Sequence, residues 1–580
     1  MAEYLSPGVY VEEFDSGAKP MEGVGTSTAG FIGLAEKGPI IGVPQLVTNF
    51  ADFKRTYGGY LSENEFGEYR FLAYAVEHFF VNGGARCFVS RVAPPDAKQA
   101  IGYIPSREGA VVQLIAKNPG IWGDRISVTF SPASKAKTQI FEVVAFGDTT
   151  KYRVKNSAGF LPGDVVAFSA KGSDDIVYNK VVTSQDNFLT FVRPFDVDVV
   201  DASLLPEKAI ASCEITVDVK YEEQVESYAN VSFNIASPNY IDKRMAKSDI
   251  IIASYTGQQG EESVSPYDEI TAGGEGPCGV NLVGGSNGSV TSVSAADFIG
   301  TDDGAGRRTG IQSFLDNDAV SIMLIPGVTD ANVQLTLVAH CENLASRFAI
   351  LDMPRSAKKV QDMIAHRDIF DSNYAALYHP WLEVFDPLDK KNVAIPPSGS
   401  MAGIYARSDN TRGVHKAPAN EVVRACVGLD CQFNKGEQDI LNPKGINLIR
   451  VFPGQGIRVW GARTASSDGS WKYINVRRLF IFIEETIKAN TSWAVFEPND
   501  EVLWVRVQRT ISVFLTNLWR GGSLAGSSTD EAFFVNIGRS TMTQDDIDNG
   551  RLVCVIGVAP VKPAEFVIFR ITQKTNEAAE

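Results

Sequence analysis

Val320-Ser-Ile-Met-Leu-Ile-Pro326, a helical stretch from Ala331 to Ser346, and Arg347-Phe-Ala-Ile-Leu-Asp352 form the run that decides the fold class. The two outer segments are short and mostly apolar, the pattern of strands buried on both faces. A second helical stretch, Ala357 to Phe370, and a third strand, Tyr374-Ala-Ala-Leu-Tyr-His379, continue the alternation. Strands separated by helices at this spacing predict a parallel or mixed sheet with right-handed crossovers.

Upstream, residues 26 to 130 carry the same signature. Thr28-Ala-Gly-Phe-Ile-Gly-Leu-Ala35 reads as a small-residue strand and Asn49 to Tyr57 as a short helix. Glu68 to Phe80 places Phe71, Leu72, Ala75, Val76 and Phe79 on one helical face, and Asn82-Gly83-Gly84 ends it. Cys87-Phe-Val-Ser-Arg-Val92 is then a strand. From about 131 to 245 the character changes to short alternating runs such as Thr138 to Ala145, Asp164 to Ser169 and Glu214 to Lys220. These predict an inserted antiparallel β domain. Downstream, Asn475 to Lys488 carries Val476, Leu479, Phe480, Ile483 and Ile487 on one stripe, and a long helix follows Pro498-Asn499 and ends at Arg520-Gly521-Gly522.

The expected architecture is therefore a multidomain α/β protein. Residues 26–130 and 246–455 form a middle α/β domain, 131–245 the inserted β domain and 456–560 a C-terminal α/β domain. Residues 1–25 and 561–580 are strand-like arms. At 580 residues the chain exceeds one ordinary core. Its 44% hydrophobic and 21% charged residues suit a globular protein. No apolar run approaches the roughly 18 residues that span a bilayer, so no membrane insertion is expected. The N-terminus lacks a basic segment followed by an apolar one, so the expectation is assembly in a cytoplasm. A net charge of −15 disfavours nucleic acid as a partner.

The chemistry-bearing residues do not assemble into a site. Seven scattered cysteines read as free thiols, and Cys426 and Cys431 have no second pair to complete a zinc set. None of the five histidines sits in a metalloprotease or nucleophile motif. Adjacent His340 and Cys341 point about 100° apart on a helix and cannot form a dyad. The glycine-rich Leu282-Val-Gly-Gly-Ser-Asn-Gly288 lacks the Lys-Ser/Thr of a phosphate loop and reads as a turn, as does Gly454-Gln-Gly456. No catalytic, cofactor-binding or metal-binding residue is assigned. The class-distinct alternative is an α/β hydrolase or transferase with an unrecognised site.

The two ends hold the strongest signal. Tyr4-Leu-Ser-Pro-Gly-Val-Tyr-Val-Glu-Glu-Phe14 contributes Val9, Tyr10, Val11 and Phe14 to a strand-like run, tethered by a Gly/Ser/Pro-rich stretch from Ser16 to Gly25. Ala564 to Gln573 contributes Phe566, Val567, Ile568, Phe569 and Ile571. Either these strands pair within their own chain, or they are donated to a neighbouring copy of it through main-chain hydrogen bonds. Asp545, Asp546 and Asp548 follow Thr543, a pattern that reads as a helix cap with acids on the first turn, or as an acidic patch for a partner.

Several segments resemble one family in its own order. Tyr4 to Glu13, Gly23-Val-Gly-Thr-Ser-Thr28 and Lys37-Gly-Pro39 resemble the opening of contractile tail sheath proteins. These serve contractile-tailed phages, R-type bacteriocins and extracellular contractile injection systems. Asn118-Pro-Gly-Ile-Trp-Gly-Asp124, Leu282 to Gly285, Tyr378-His-Pro-Trp381, Pro396-Pro-Ser-Gly399 and Gly413 to Asn420 resemble the first and central halves. Val459 to Thr464, Tyr473 to Arg478, Phe496-Glu-Pro-Asn499, Leu518-Trp-Arg520 and Val558-Ala-Pro560 resemble the C-terminal domain. The stretch 131–245 carries no motif of the family. The resemblance implies hexameric rings stacked around an inner tube, triggered by a baseplate, closed by terminal cap proteins, and linked by the arms. It implies contraction without a nucleotide, an outward-facing insertion, and a C-terminal domain facing the tube, with Asp545, Asp546 and Asp548 as possible tube contacts.

Overall fold

The computed structural model describes residues 21–105, 111–146, 149–169, 176–194, 209–256, 264–271, 278–568 and 570. Its centre is an eight-stranded mixed sheet. The strand order is Gln45–Val47, Cys87–Val92, Ala29–Leu34, Ile322–Leu324, Phe348–Asp352, Ala375–His379, Ile446–Phe452 and Gly456–Val459. The six inner strands are parallel, with Ala29 opposite both Cys87 and Ile322, and Ala349 opposite Ala375. The two edge strands are antiparallel. Helices Ala331–Leu344 and Val360–Arg367 make the crossovers that the apolar strand runs required. Alternation puts Phe31 and Ile350 into the core on one face, and Ile32, Ala349 and Leu351 into the core on the other.

A helix that the sequence pattern does not announce carries much of this core. Ser398–Arg412 follows Pro396-Pro397 and has no apolar stripe, because it is enclosed on nearly every side. Asp352, at the end of its strand, accepts hydrogen bonds from the Ser398 backbone at 2.9 Å, the Ser398 hydroxyl at 2.7 Å and the Gly327 backbone at 3.0 Å. Burial pushes this carboxyl up to about 6, against those hydrogen bonds. The helix lies directly on Leu72–Asn82. A Cβ added at Gly399 would stand 2.4 Å from the Ala75 carbonyl oxygen, and one at Gly403 2.4 Å from that of Phe79. The two backbones meet only because glycine recurs at the i, i+4 spacing of one helix face.

The β-rich stretch does not follow the boundaries its alternation suggests. Strands Lys137–Phe146, Thr149–Val154, Val165–Ser169, Ile176–Gln185, Phe188–Phe191 and Ala209–Ser212 close into a barrel around its own core, which includes Ile140, Phe168, Leu189 and Ile210. Glu214–Tyr221 and Gln224–Val231 leave the barrel and join Ile126–Ala133 and Cys278–Asn281 in a four-stranded sheet. That sheet shares a core with the three-stranded Ile101–Pro105, Val111–Ala116 and Ile251–Tyr255. The run 131–245 therefore divides between two bodies. Strands Ile101–Pro105, Val111–Ala116, Ile126–Ala133, Ile251–Tyr255 and Cys278–Asn281 belong to the second of them rather than to the large sheet. Likewise Gly456–Val459 is an edge of the large sheet, not the start of the C-terminal unit. That unit is helices Ile474–Asn490 and Glu501–Arg520 with the hairpin Phe533–Ile537 and Cys554–Val558.

Gly399→Ala tests the helix contact. Overpacking against a backbone oxygen costs about 1–3 kcal/mol, which outweighs the roughly 1 kcal/mol gained in helix propensity. A lowered urea or thermal midpoint is expected. An unchanged or raised midpoint contradicts the close approach.

Candidate assembly surfaces

Helix Ile474–Asn490 is where the first and last described segments of the chain converge. Its apolar stripe is interrupted by Arg477 and Arg478, both buried. Arg478 makes a two-point ion pair with Asp409 of the Ser398 helix, at 2.9 and 2.6 Å, with both side chains only 4% exposed. The same guanidinium donates to the Thr26 carbonyl at 2.9 Å and lies over the Tyr405 ring. The Thr26 hydroxyl donates to Asp409 at 2.7 Å. One planar fork thus joins the large core, the C-terminal helices and the entry into the first strand.

The N-terminal segment runs back along this helix. The Val24 N–H donates to the Thr486 hydroxyl at 3.2 Å, the Asn490 side chain donates to the Glu22 carbonyl at 3.0 Å, and Met21 packs on the C-terminal core. Val9, Tyr10, Val11 and Phe14 lie outside the described residues.

The C-terminal segment is held at the other end of the helix. Asn475 donates to the Val561 carbonyl at 3.1 Å. Glu565 then enters a clamp. Arg463 donates to it from Nε and Nη2, each at 2.8 Å, Asn442 at 2.7 Å and the Tyr473 hydroxyl at 2.9 Å. Burial pushes the Glu565 carboxyl up, but these hydrogen bonds and the Arg463 charge outweigh it and hold the group below its ordinary value. Immediately beyond the clamp, Phe566, Val567 and Ile568 are 72%, 68% and 80% exposed and belong to no strand. Phe569 and Ile571 lie outside the described residues. The two anchors, Asn475 and Asn490, are about 22 Å apart at roughly 1.5 Å per helical residue. Nearby, Phe533–Ile537 and Cys554–Val558 form a hairpin with no further strand on either side among the described residues.

The three acids take different roles. Gln544–Asp548 is a five-residue helix with a capping box, in which the Asp546 carboxylate accepts from the Thr543 backbone and hydroxyl. Asp546 is therefore occupied within its own helix. Asp548 accepts from Gln544, and Asp545 and Asp548 are exposed. The other candidate chemistry is spent internally. The Gly285 N–H donates to Asp124 and the Ser289 N–H to Asp96, so the glycine-rich segment serves the protein's own carboxylates. His340 bonds Arg347. Burial pushes His78, His340 and His379 down to about 4, so each is neutral near pH 7. Among the described residues no three His, Cys, Asp or Glu side chains are grouped to hold a metal ion, and no helix is long and apolar enough to cross a membrane.

The Glu565 clamp and the Arg478–Asp409 pair escaped the sequence reading. Their only signal was charge in apolar surroundings: Glu565 before Phe566-Val-Ile, and Arg477-Arg478 inside an amphipathic stripe. Both lie within conserved-domain matches. Residues 308–465 match the phage tail sheath protein central domain, and residues 466–574 match the phage tail sheath C-terminal domain. The chain belongs to the contractile tail sheath family. This sheath chain is 25% identical over 290 residues to a putative prophage major tail sheath protein of Pseudomonas aeruginosa, across 48% of this chain and 72% of that one. It shares its fold with the sheath of an extracellular contractile injection system, PVC, in its contracted state, with TM-score 0.52, 21% identity and 100% of both chains covered. It also shares its fold with a sheath tail protein of Listeria innocua, with TM-score 0.53, 10% identity, and 93% and 96% of the two chains covered. The relatives are structural sheath proteins, and this chain is one of that kind rather than an enzyme.

The sign of the Glu565 shift fixes a pH dependence. A carboxyl held below its ordinary 4.5 contributes stability above that value and loses it as pH falls through the lower folded value. Amide exchange over 561–568 is expected to quicken as pH drops below 4.5, after correction for intrinsic rates. Glu565→Ala should show the same release at neutral pH. Unchanged protection in the variant would show that the clamp does not hold the segment.

Proposed function

We propose that this chain is the polymerising subunit of a contractile sheath. Subunits stack as hexameric rings around an inner tube, and contraction drives that tube through a target envelope. The observation that carries this reading is the pairing of a charge-assisted clamp at Glu565 with a fully presented apolar run directly beyond it. A chain end that was merely frayed would not need four donors on one carboxylate. A rigid launch point followed by unpaired Phe566, Val567 and Ile568 suits donation to a neighbouring copy by strand addition. The acceptor is the Phe533–Ile537/Cys554–Val558 hairpin, since two strands alone are marginal and gain from added ones. The N-terminal run, Val9 to Phe14, is donated in the same way from the far end of helix Ile474–Asn490.

On this reading the barrel region within 131–245 lies on the outer wall, where added mass meets only solvent. The C-terminal unit faces the tube, with Asp545 and Asp548 as repeated contacts and Asp546 as their helix cap. Exposed charges of this kind are worth about 0–1 kcal/mol each and are screened by salt. Weak contacts repeated around a ring suit a surface that must release during contraction. Baseplate and terminal cap proteins complete the particle. It is assembled in a bacterial cytoplasm and released as part of a phage tail or injection device. One relative of the same fold is itself a contracted sheath.

An assembly assay with the tube protein separates these contacts. Ile568 is exposed and unpaired in its own chain, so Ile568→Pro should leave the melting temperature of the monomer unchanged and abolish sheath formation. Asp545→Asn with Asp548→Asn should permit self-association but reduce growth on the tube, as high salt does for the parent chain. Normal sheaths from the proline variant would refute strand donation. Normal growth of the double variant on the tube would move the tube contact elsewhere.

A further inference from the structure

Among the described residues, the barrel is joined to the body by two short connectors and shares no apolar core with it. Residues 134–136 link strand Ile126–Ala133 to strand Lys137–Phe146, and Cys213 links Ala209–Ser212 to Glu214–Tyr221. The apolar side chains of the barrel form one cluster, and those of the adjoining sheets form another. Apolar burial therefore contributes little to setting the angle between them.

A buried polar cluster occupies the junction instead. Lys135, on the first connector, places its Nζ 2.6 Å from Asp164 and 3.3 Å from Glu214. Both carboxylates are 1% exposed. Glu214 opens the second connector's exit strand and also accepts from the Lys135 N–H and the Ser212 hydroxyl, each at 2.8 Å. Asp164 lies in the barrel, just before strand Val165–Ser169, and accepts from the Leu161 N–H at 2.8 Å. Asn234 reaches over from the body and donates to Asp164 at 2.8 Å and to the Pro162 carbonyl at 2.9 Å. A second, half-buried contact sets Tyr178 of the barrel against Ser265 and Asp268 of the body.

We propose that Lys135, Asp164 and Glu214 form an ionic latch that fixes the orientation of the barrel on the body, with residues 134–136 and Cys213 as the hinge it locks. One ammonium serves two enclosed carboxylates, so removing it leaves two buried acids without a counter-charge. Each of the three residues comes from a different side of the junction: Lys135 from the incoming connector, Asp164 from the barrel and Glu214 from the first position of the body strand that leaves the second connector. The cluster therefore couples rigid units rather than stabilising either one.

Amide hydrogen exchange of the full-length chain tests the latch. In Lys135→Met, exchange over 133–136, 161–164 and 212–214 should quicken by about tenfold or more. The barrel strands around Tyr152 and Leu189 and the body strands around Val128 and Val217 should keep their protection. A variant combining Lys135→Met, Asp164→Asn and Glu214→Gln removes all three charges and should return the hinge towards the parent rate. Unchanged hinge exchange in Lys135→Met would overturn the proposal. So would loss of protection throughout the barrel strands, which would make the cluster part of the barrel's own folding core. A neutral variant as fast as the single one would show that charge is not the lock.

Discussion

The architecture depends on a buried ion pair. Arg478 and Asp409 are almost wholly removed from water, and each reaches a different structural unit. Asp409 sits near the end of the Ser398 helix, whose start is fixed by Asp352 and whose flank touches Leu72–Asn82 through glycine. Arg478 sits in the helix that anchors both chain ends. A buried pair of this kind adds little net stability, yet removing one partner costs about 3–5 kcal/mol because a charge is stranded. Its value here is geometric. It fixes the C-terminal helices on the sheet core, and with them the points from which both terminal segments depart.

Those departure points suit a subunit that must stay linked while it moves. On the proposed function, the arms carry continuity between subunits, so the body need not. The segments up to Glu22 and Glu565 are tied to a rigid helix by side-chain hydrogen bonds. Beyond Glu565, Phe566, Val567 and Ile568 are exposed, and on the proposed function they pair with another copy. Strand addition tolerates changes of angle between bodies because its hydrogen bonds are local to the arm. The large sheet carries a packed apolar core on each face, and on the proposed function it is the body that such motion carries.

Much of the large sheet was readable from sequence. Ile322–Leu324 and the first four residues of Phe348–Asp352 are apolar on both faces because they lie in central parallel strands, and continuous burial leaves a continuous apolar run. The Ser398 helix was not readable, for the same physical reason in a different geometry. A helix enclosed all round, and packed by glycine, has no stripe to reveal its period. The β-rich stretch shows another limit. Alternation in Glu214–Tyr221 identifies an inward face but not which sheet that face completes, and its partner Cys278–Asn281 lies far along the chain. The candidate contacts divided similarly. Apolar residues after Glu565 were visible as a strand-like run, whereas the clamp needed Asn442, Arg463 and Tyr473 brought together by the fold.

Electron cryo-microscopy of the assembled sheath, with helical reconstruction to side-chain detail, tests the central claim most directly. The account predicts that Glu565 stays in the Arg463 clamp of its own subunit while residues 566–570 run beside the Phe533–Ile537/Cys554–Val558 hairpin of a neighbour. It also predicts the barrel outermost and the C-terminal helices on the tube side. Residues 566–570 folded onto their own hairpin, or the barrel lining the inner wall, would contradict it.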